Sequence, residues 1–303
     1  MRSNWSTRMQ YGTGEHTYTY ADGWLKTPPG WTWGWIPAIA CDSRDRVFVY
    51  SRSQNPLAVF DRDGNFLETW GEGVLAPMCA HGLFIDGADN VYCVDVTNHA
   101  IFKFDRQGKL VMTLGTPGHP GARDGDPFNK PTDLAVTSAG ELIVSDGYGN
   151  AKVHRYSADG RLLLSWGERG KGPGQFSISH SARMDRLDRV WVCDRENNRI
   201  QLFDLNGVFL GERTGLLRPN SVFFDPNADV AYVAELGRRI SVWTLEGEKL
   251  AEWGGAAQSE RPGEFRGGPH GLWVDSHGDL YAGEVELGVL GRMHKYVRET
   301  SPL

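Results

Sequence analysis

The sequence predicts an all-β protein, a six-bladed β-propeller with four antiparallel strands in each blade. The main observation is a pattern of strand, turn, strand, strand, glycine turn and strand that recurs six times along the 303 residues. The first closing glycines are Gly71, Gly115 and Gly167, which are 115 − 71 = 44 and 167 − 115 = 52 residues apart. A period of this size is typical of propellers and solenoids. A content of 38 glycines and 40% hydrophobic residues suits short strands joined by tight turns.

The repeats define one domain over residues 1–303, with blades at residues 36–71, 80–115, 131–167, 179–213, 219–254 and 269–298. The last repeat lacks its fourth strand, and the alternating segment 16–26 precedes the first repeat. We therefore expect the N-terminal segment to complete the last blade and to remove an exposed sheet edge. Five turns between third and fourth strands place a glycine where a hairpin needs a positive φ, at Gly64, Gly108, Gly160, Gly207 and Gly247.

Composition excludes several classes of partner. A formal net charge of −6 argues against a nucleic-acid surface. An apolar run of 18 residues is absent, as is the apolar core of a secretory signal, so no membrane partner is expected. The four cysteines are scattered, which indicates free thiols in a reducing compartment and hence a cytoplasmic protein. The oligomeric state is left open.

Three histidines occupy the same register of alternate repeats: His81 in CAHGLFID, His180 in ISHSARMD and His270 in GPHGLWVD. Each opens the innermost strand of its blade, so in a closed ring their side chains lie about 120° apart around the axis. One histidine at a strand start is usually a structural polar residue, whereas three at one register indicate a common site. Three imidazoles with an open fourth position predict Zn²⁺ or another divalent transition metal.

Residues that follow the second strands lie on the same face as these histidines, because the strands are antiparallel. Counting back from the end of each third strand gives Arg52, Tyr148, Arg195 and Glu235. An arginine suits a substrate carboxylate, and a tyrosine beside a metal and an arginine is a candidate general base. Each residue also has a structural interpretation, since an arginine can be solvated, Tyr148 can cap its turn and Glu235 can pair with Arg239. Five further histidines are predicted to lie at the surface: His99, His119, His154, His277 and His294.

At these positions the chain resembles the NHL-repeat propellers and, more narrowly, the peptidyl-α-hydroxyglycine α-amidating lyases. The stretches that carry the resemblance are PTDLAV, VSDGYGNAKV, GPGQFSISHS, DRENNRIQ, AHGLFID and GPHGLWVD. The resemblance implies a catalytic zinc on the three histidines, a reactive tyrosine at Tyr148, and active-site arginines at Arg195 and Arg52.

Two departures from that family bear on its other properties. The family usually has an aspartate after its third zinc ligand, where it helps to hold a structural calcium, and this chain has Gly271. The resemblance implies a Ca²⁺ ion as a second cofactor, with the backbone carbonyl of Leu83 as the candidate ligand, and Gly271 argues against it. Gly149 replaces a family cysteine beside the reactive tyrosine, which removes a disulfide and agrees with an intracellular relative.

These observations together predict a metal-dependent carbon–nitrogen lyase. Its substrate is a small molecule that bears a carboxylate, an N-acyl-α-hydroxyglycine or related carbinolamide, and its products are an amide and a glyoxylate-like carbonyl compound. Tyr148, aided by Arg52, takes the proton of the metal-bound hydroxyl, and Arg195 holds the carboxylate. The alternatives are a lactonase-like metallo-hydrolase, for which Asn220 and Glu235 offer further ligands, and a non-catalytic NHL binding scaffold.

Overall fold

The computed structural model describes residues 9–121, 128–226, 228–286, 288 and 290–299. Residues 1–8, which belong to the predicted domain range and to the N-terminal segment in which no secretory signal is expected, lie outside the described residues. The regular secondary structure of the described part consists of β-strands and one short 3₁₀ helix, η1 (Arg195–Asn197).

The strands are numbered along the chain. The first fourteen are β1 (Gln10–Thr13), β2 (His16–Tyr20), β3 (Ala38–Cys41), β4 (Val47–Tyr50), β5 (Leu57–Phe60), β6 (Phe66–Trp70), β7 (Ala80–Ile85), β8 (Val91–Asp95), β9 (Ala100–Phe104), β10 (Leu110–Leu114), β11 (Asp133–Val136), β12 (Leu142–Asp146), β13 (Lys152–Tyr156) and β14 (Leu162–Trp166). The others are β15 (Glu168–Arg169), β16 (Gln175–Phe176), β17 (Ser179–Met184), β18 (Val190–Asp194), β19 (Arg199–Phe203), β20 (Phe209–Arg213), β21 (Pro219–Phe224), β22 (Val230–Glu235), β23 (Arg239–Thr244), β24 (Lys249–Gly254), β25 (Gly268–Val274), β26 (Leu280–Val285) and β27 (Met293–Arg298).

These strands form the six antiparallel blades that the repeats predict. Blades 1 to 5 are the four-stranded sheets β3–β6, β7–β10, β11–β14, β17–β20 and β21–β24. Blade 6 has the order β1-β2-β27-β26-β25, so the N-terminal strand β2 completes it as predicted. The pairing of β2 with β27 aligns Tyr18 with Arg298 and Tyr20 with Tyr296. Strand β1 adds a fifth, outermost strand that the repeat pattern does not predict.

The glycine turns between third and fourth strands have the predicted geometry. The φ angles are 79° at Gly64, 81° at Gly108, 86° at Gly160, 75° at Gly207 and 101° at Gly247. Only glycine adopts this conformation at no steric cost. The same turn therefore recurs in blades 1 to 5 and sets the register of the outermost strands.

The core lies between adjacent blades rather than at the axis. One cluster joins blades 1 and 2 through Phe48, Tyr50 and Trp70 to Leu83 and Phe102. The second strands are buried along their whole length, as in β8 and β12. Strands that are covered on both faces consist of continuous apolar runs. The inner strands, in contrast, present polar side chains to the central channel.

Three histidines predicted to lie at the surface are buried instead. The exposed fractions are 9% for His99, 1% for His154 and 0% for His294. Each side chain on a third strand bonds to an acid that ends or nearly ends the second strand, His154 to Asp146 and His294 to Glu284. A buried polar side chain requires such a partner, and the sequence pattern does not reveal it.

The four cysteines, Cys41, Cys79, Cys93 and Cys193, are all free thiols. No helix in the described part of the chain has the length and apolarity to cross a membrane.

Candidate active site

The three predicted histidines meet at the propeller axis. The ring centroids of His81, His180 and His270 lie 4.9, 4.8 and 4.7 Å apart in the pairs 81–180, 81–270 and 180–270. The exposed fractions of the three side chains are 1%, 2% and 5%. The convergence expected from the repeat register is therefore present in the structure.

A β-bulge positions each histidine on its inner strand. The pairing of β7 with β8 shifts register between Ala80 and Leu83, on either side of His81. Strand β17 shifts between Ser179 and Ala182, and β25 between Pro269 and Gly271. A bulge leaves a residue unpaired and redirects its side chain, which turns each imidazole toward the axis.

Backbone carbonyls of the odd-numbered blades hold the imidazoles in one tautomer. The Nδ1 atoms bond to these acceptors: His81 to Thr132 O at 2.6 Å, His180 to Asn220 O at 2.8 Å and His270 to Pro37 O at 2.7 Å. Because a carbonyl only accepts, each Nδ1 carries the proton and each Nε2 keeps its lone pair. The candidate ligand atoms all lie within 4.8 Å of one another. The group can hold a metal ion, and its neutral nitrogens match the protein ligands of a catalytic Zn²⁺ site.

Burial keeps these imidazoles neutral. Desolvation, followed by the charge on His270 and on Arg52, holds the pKa of His81 well below its usual range. Desolvation, followed by the charge on Arg195, does the same for the pKa of His180. Burial lowers the pKa of His270 to about 3. The cluster is therefore in its ligating form at neutral pH.

Tyr148 lies directly over the cluster. Its Oη is 3.0 Å from Nε2 of His81 and 3.2 Å from Nε2 of His180. Arg195 donates from Nη1 to the same oxygen at 3.2 Å, and its Cζ lies 5.4 Å from the tyrosine ring centroid. One phenol oxygen thus touches two candidate metal ligands and one guanidinium.

Close backbone approaches explain the glycines that flank Tyr148. A Cβ on Gly147 would lie 2.2 Å from Ser179 O, and one on Gly149 would lie 2.2 Å from Asn129 O. Both distances are shorter than a van der Waals contact. The segment SDGYGN therefore needs glycine on both sides to hold the tyrosine over the axis.

The two predicted arginines make different contacts. Arg195 is 7% exposed and donates from Nε to Glu196 at 2.8 Å. Arg52 donates from Nε to Ala80 O at 3.0 Å, and its Cζ lies 4.9 Å from the ring centroid of Trp35. The terminal nitrogens of Arg52 bond to no protein group within the described residues, and burial lowers its pKa. Arg52 therefore has donors free for a ligand.

A cavity of about 530 Å³ opens above the cluster, beside His270, and contains Arg52, Tyr148 and Arg195. Its lining also includes four charged or aromatic side chains that are not among the predicted site residues: Trp35, Arg218, Arg238 and Glu286. Arg218 binds Glu196 at 2.6 Å, and Arg238 binds both oxygens of Glu286 at 2.7 and 2.6 Å. Cation-rich walls with one unpaired guanidinium suit an anionic small molecule.

Glu235 and Leu83 lie near the channel but not in the cavity above the cluster. Glu235 is fully buried, and its carboxylate accepts from Arg239, Ser241 and the backbone N–H of Leu217. The carbonyl of Leu83 accepts from Arg183 Nη2 at 3.3 Å. The carboxylate of Glu235 is therefore bonded within its own blade. The carbonyl of Leu83 is bonded to an arginine of blade 4.

The fold and this site define the class of protein: a six-bladed β-propeller with a three-histidine cluster at its hub. The NHL repeat profile matches residues 128–156. The chain is 35% identical over 257 residues to human NHL repeat-containing protein 3, a match that covers 79% of this chain and 73% of that protein. The chain therefore belongs to the NHL-repeat family that includes NHL repeat-containing protein 3.

Two relatives with narrower matches have names that state an activity. The chain is 38% identical over 178 residues to rat peptidylglycine alpha-amidating monooxygenase, covering 54% of this chain but 18% of that protein. It is 36% identical over 171 residues to peptidyl-alpha-hydroxyglycine alpha-amidating lyase 1 of Drosophila melanogaster, covering 52% and 31%. Among solved structures, a streptogramin B lyase superposes with a TM-score of 0.59 over 96% of this chain and 88% of that one, at 14% identity. The last likeness shows the fold alone.

Proposed function

We propose that this protein is a metal-dependent lyase that cleaves the C–N bond of an N-acyl-α-hydroxyglycine or a related small carbinolamide. The products are an amide and a glyoxylate-like carbonyl compound. The observation that carries the proposal is the position of Tyr148 Oη, 3.0 and 3.2 Å from two imidazole nitrogens of the buried histidine cluster and 3.2 Å from Arg195. The relative from Drosophila melanogaster, whose name states such a lyase, supports the same chemistry.

The histidine cluster is the proposed metal site, with Nε2 of His81, His180 and His270 as ligands. Zn²⁺ is the proposed ion, and when bound it supplies a Lewis acid that makes a substrate hydroxyl more acidic. The carbonyl acceptors on the Nδ1 side support this assignment, because metal-binding histidines are held in this way.

Tyr148 is the proposed general base. It takes the proton of the substrate hydroxyl, the O–H electron pair forms the C=O bond, and the C–N bond breaks. Tyr148 then returns the proton to the leaving nitrogen, so that no water is consumed. Arg195, which already donates to Tyr148 Oη, stabilises the phenolate that accepts the proton in the first transfer and that forms again after the second.

Arg52 is the proposed carboxylate-binding residue. The sequence alone assigned the carboxylate to Arg195 and the support of the tyrosine to Arg52. The contacts favour the reverse, because Arg195 is bonded to Tyr148 and Glu196 while Arg52 has free terminal donors. Trp35 stacks on Arg52 and keeps its guanidinium at the cavity wall.

The hydrolase alternative receives less support from these contacts. The proposed lactonase ligands are engaged elsewhere, since Asn220 Oδ1 accepts from Arg195 Nη1 at 3.5 Å and Glu235 binds Arg239. In the described part of the chain, the metal-ligand group consists of the three histidines without an acid. The four free thiols support a reducing compartment, and we propose that the protein is located in the cytoplasm.

The test combines metal analysis with a lyase assay. The purified protein is expected to carry one transition metal ion per chain and to convert α-hydroxyhippurate to benzamide and glyoxylate in equal amounts. Alanine at His81, His180 or His270 should remove both metal and activity. Tyr148→Phe should keep the metal and lose at least about 100-fold in kcat, the usual contribution of a general base.

The matched control is His277→Ala, because that side chain is 57% exposed and lies away from the cluster. It should change neither metal content nor turnover. Stoichiometric metal without glyoxylate release would favour the hydrolase or another carbinolamide. A wild-type protein that binds no metal would contradict the proposal. The non-catalytic binding scaffold would then be the favoured function.

A further inference from the structure

A second polar layer lies beneath the histidine cluster, on the side away from Tyr148. A cavity of about 20 Å³, enough for about one water, is lined by the three histidines and by Leu83, Asp133, Arg183 and Gly271. Of the described residues that line it, Asp133 is the one carboxylate and Arg183 the one guanidinium.

We infer that the guanidinium of Arg183 supplies the positive charge in this layer of the channel and takes the place of a bound calcium ion. Arg183 Nη2 donates to Asp133 Oδ1 at 2.9 Å and to the carbonyl of Leu83 at 3.3 Å. The second carboxylate oxygen of Asp133 accepts from Ser181 Oγ at 2.8 Å. The anionic and carbonyl oxygens that would bind a hard cation are therefore bonded to protein donors.

The remaining surroundings do not fit a calcium ion. Ca²⁺ takes six to eight oxygen ligands, and the one carboxylate of the described cavity lining, Asp133, and the carbonyl of Leu83 are both engaged by Arg183. Gly271 contributes no side chain, and a Cβ there would lie 2.5 Å from Pro37 O. A divalent ion in this layer would also be repelled by the adjacent guanidinium.

Packing fixes Arg183 in this position. Its side chain is 9% exposed, and its Cζ lies 4.9 Å from the ring centroid of Phe84. The Phe84 ring contacts Trp273 in turn, with centroids 5.8 Å apart. These rings line a separate cavity of about 450 Å³ on the opposite face of the propeller. Arg183 therefore lies at the boundary between that cavity and the histidine layer.

The test measures calcium binding and thermal stability rather than activity. The wild-type protein is dialysed against calcium-depleted buffer that contains Zn²⁺, and the melting temperature is then recorded with and without added Ca²⁺. We expect no shift and no stoichiometric calcium by elemental analysis. Arg183→Ser leaves the Asp133 carboxylate without its cation, so its melting temperature should fall by about 5 °C or more. Added Ca²⁺ should restore part of that loss.

Two further variants control the experiment. Arg183→Ser with Asp133→Asn has no carboxylate for a cation, so it should not respond to Ca²⁺. Arg183→Lys keeps a positive charge, so it should be more stable than Arg183→Ser and also insensitive to Ca²⁺. If Arg183→Ser does not fold, the wild type and Arg183→Lys still decide the question.

Stoichiometric calcium on the wild type, or a wild-type melting temperature that rises with Ca²⁺, would overturn the inference. An Arg183→Ser protein as stable as the wild type would do the same. Zinc content is measured in the same samples, so a failure of the proposed metal centre is seen separately from a failure of this inference.

Discussion

At the scale of single residues, the geometry of the centre depends on acceptors as much as on histidines. Each imidazole comes from an even-numbered blade and is held by a carbonyl of the next odd-numbered blade, as in His81 with Thr132 and His180 with Asn220. Such partners fix both the tautomer and the ring orientation of a metal ligand. This alternation explains why the cluster at the axis contains three histidines and not six.

The roles of the two arginines can be separated kinetically. Arg52→Ala should raise KM for α-hydroxyhippurate by about 10-fold or more with a smaller effect on kcat, because it removes a charged contact to the bound carboxylate. Arg195→Ala should lower kcat by a similar factor, because it removes the donor to Tyr148. Arg52→Lys should recover part of the affinity. The opposite pattern, with KM dependent on Arg195, would restore the assignment made from the sequence.

The depressed pKa of His270 makes a prediction for the metal-free protein. An unfolded histidine binds a proton near pH 6.5, whereas folded His270 stays neutral down to a pKa of about 3. The unfolded state therefore binds more protons throughout this window, and stability falls as the pH decreases from about 6.5 toward 3. Above pH 6.5 this contribution is fully present.

His270→Gln tests the sign of this effect. The variant lacks the titrating group, so its unfolding free energy should lose about 2 kcal/mol less than the wild type between about pH 6.5 and 5. Urea unfolding of both proteins after removal of metal measures the difference. Equal slopes would show that His270 is not held neutral by the fold.

At the scale of elements, the repeats were sufficient to predict the blades, because strand periodicity and the glycine turns recur. The inner-strand register also predicted the histidine cluster. The sequence did not predict β1, since it lies outside the repeat, or the buried positions of His154 and His294. Those two histidines depend on acids of a neighbouring strand, which a pattern along one strand does not reveal.

The unpredicted residues of the cavity above the cluster come from loops. Arg218 and Arg238 have φ angles of 55° and 65°, a left-handed conformation that few side-chain-bearing residues adopt. Trp35 precedes the first blade and reaches the cavity by packing on Arg52. The left-handed position of Arg238 recurs before the third strands of other blades, at His99, Ala151 and Asn198, but the type of residue there does not repeat. The three-dimensional structure is therefore needed to show which of these side chains reach the site.

At the scale of the whole molecule, the ring is closed by the N-terminal strands. Tyr18 of β2 is fully buried, and its hydroxyl donates to Tyr232 of blade 5 at 3.0 Å. Tyr11 of β1 packs on Tyr296 of β27, with ring centroids 5.6 Å apart. The segment therefore contributes to the core between blades 5 and 6 as well as covering the edge of β27.

A chain that starts at residue 22 should lose this closure. It exposes the edge of β27 and leaves the cluster around Tyr232 and Tyr296 without two buried tyrosines, each worth about 3 kcal/mol or more. We expect a lower urea midpoint and concentration-dependent aggregation, measured by fluorescence and light scattering. A synthetic peptide of residues 9–21 added in trans should restore the midpoint by strand addition, and a scrambled peptide should not. If the truncated chain had the same urea midpoint as the full chain, the N-terminal strands would contribute nothing to the free energy of unfolding. The ring would then not depend on these strands for its stability.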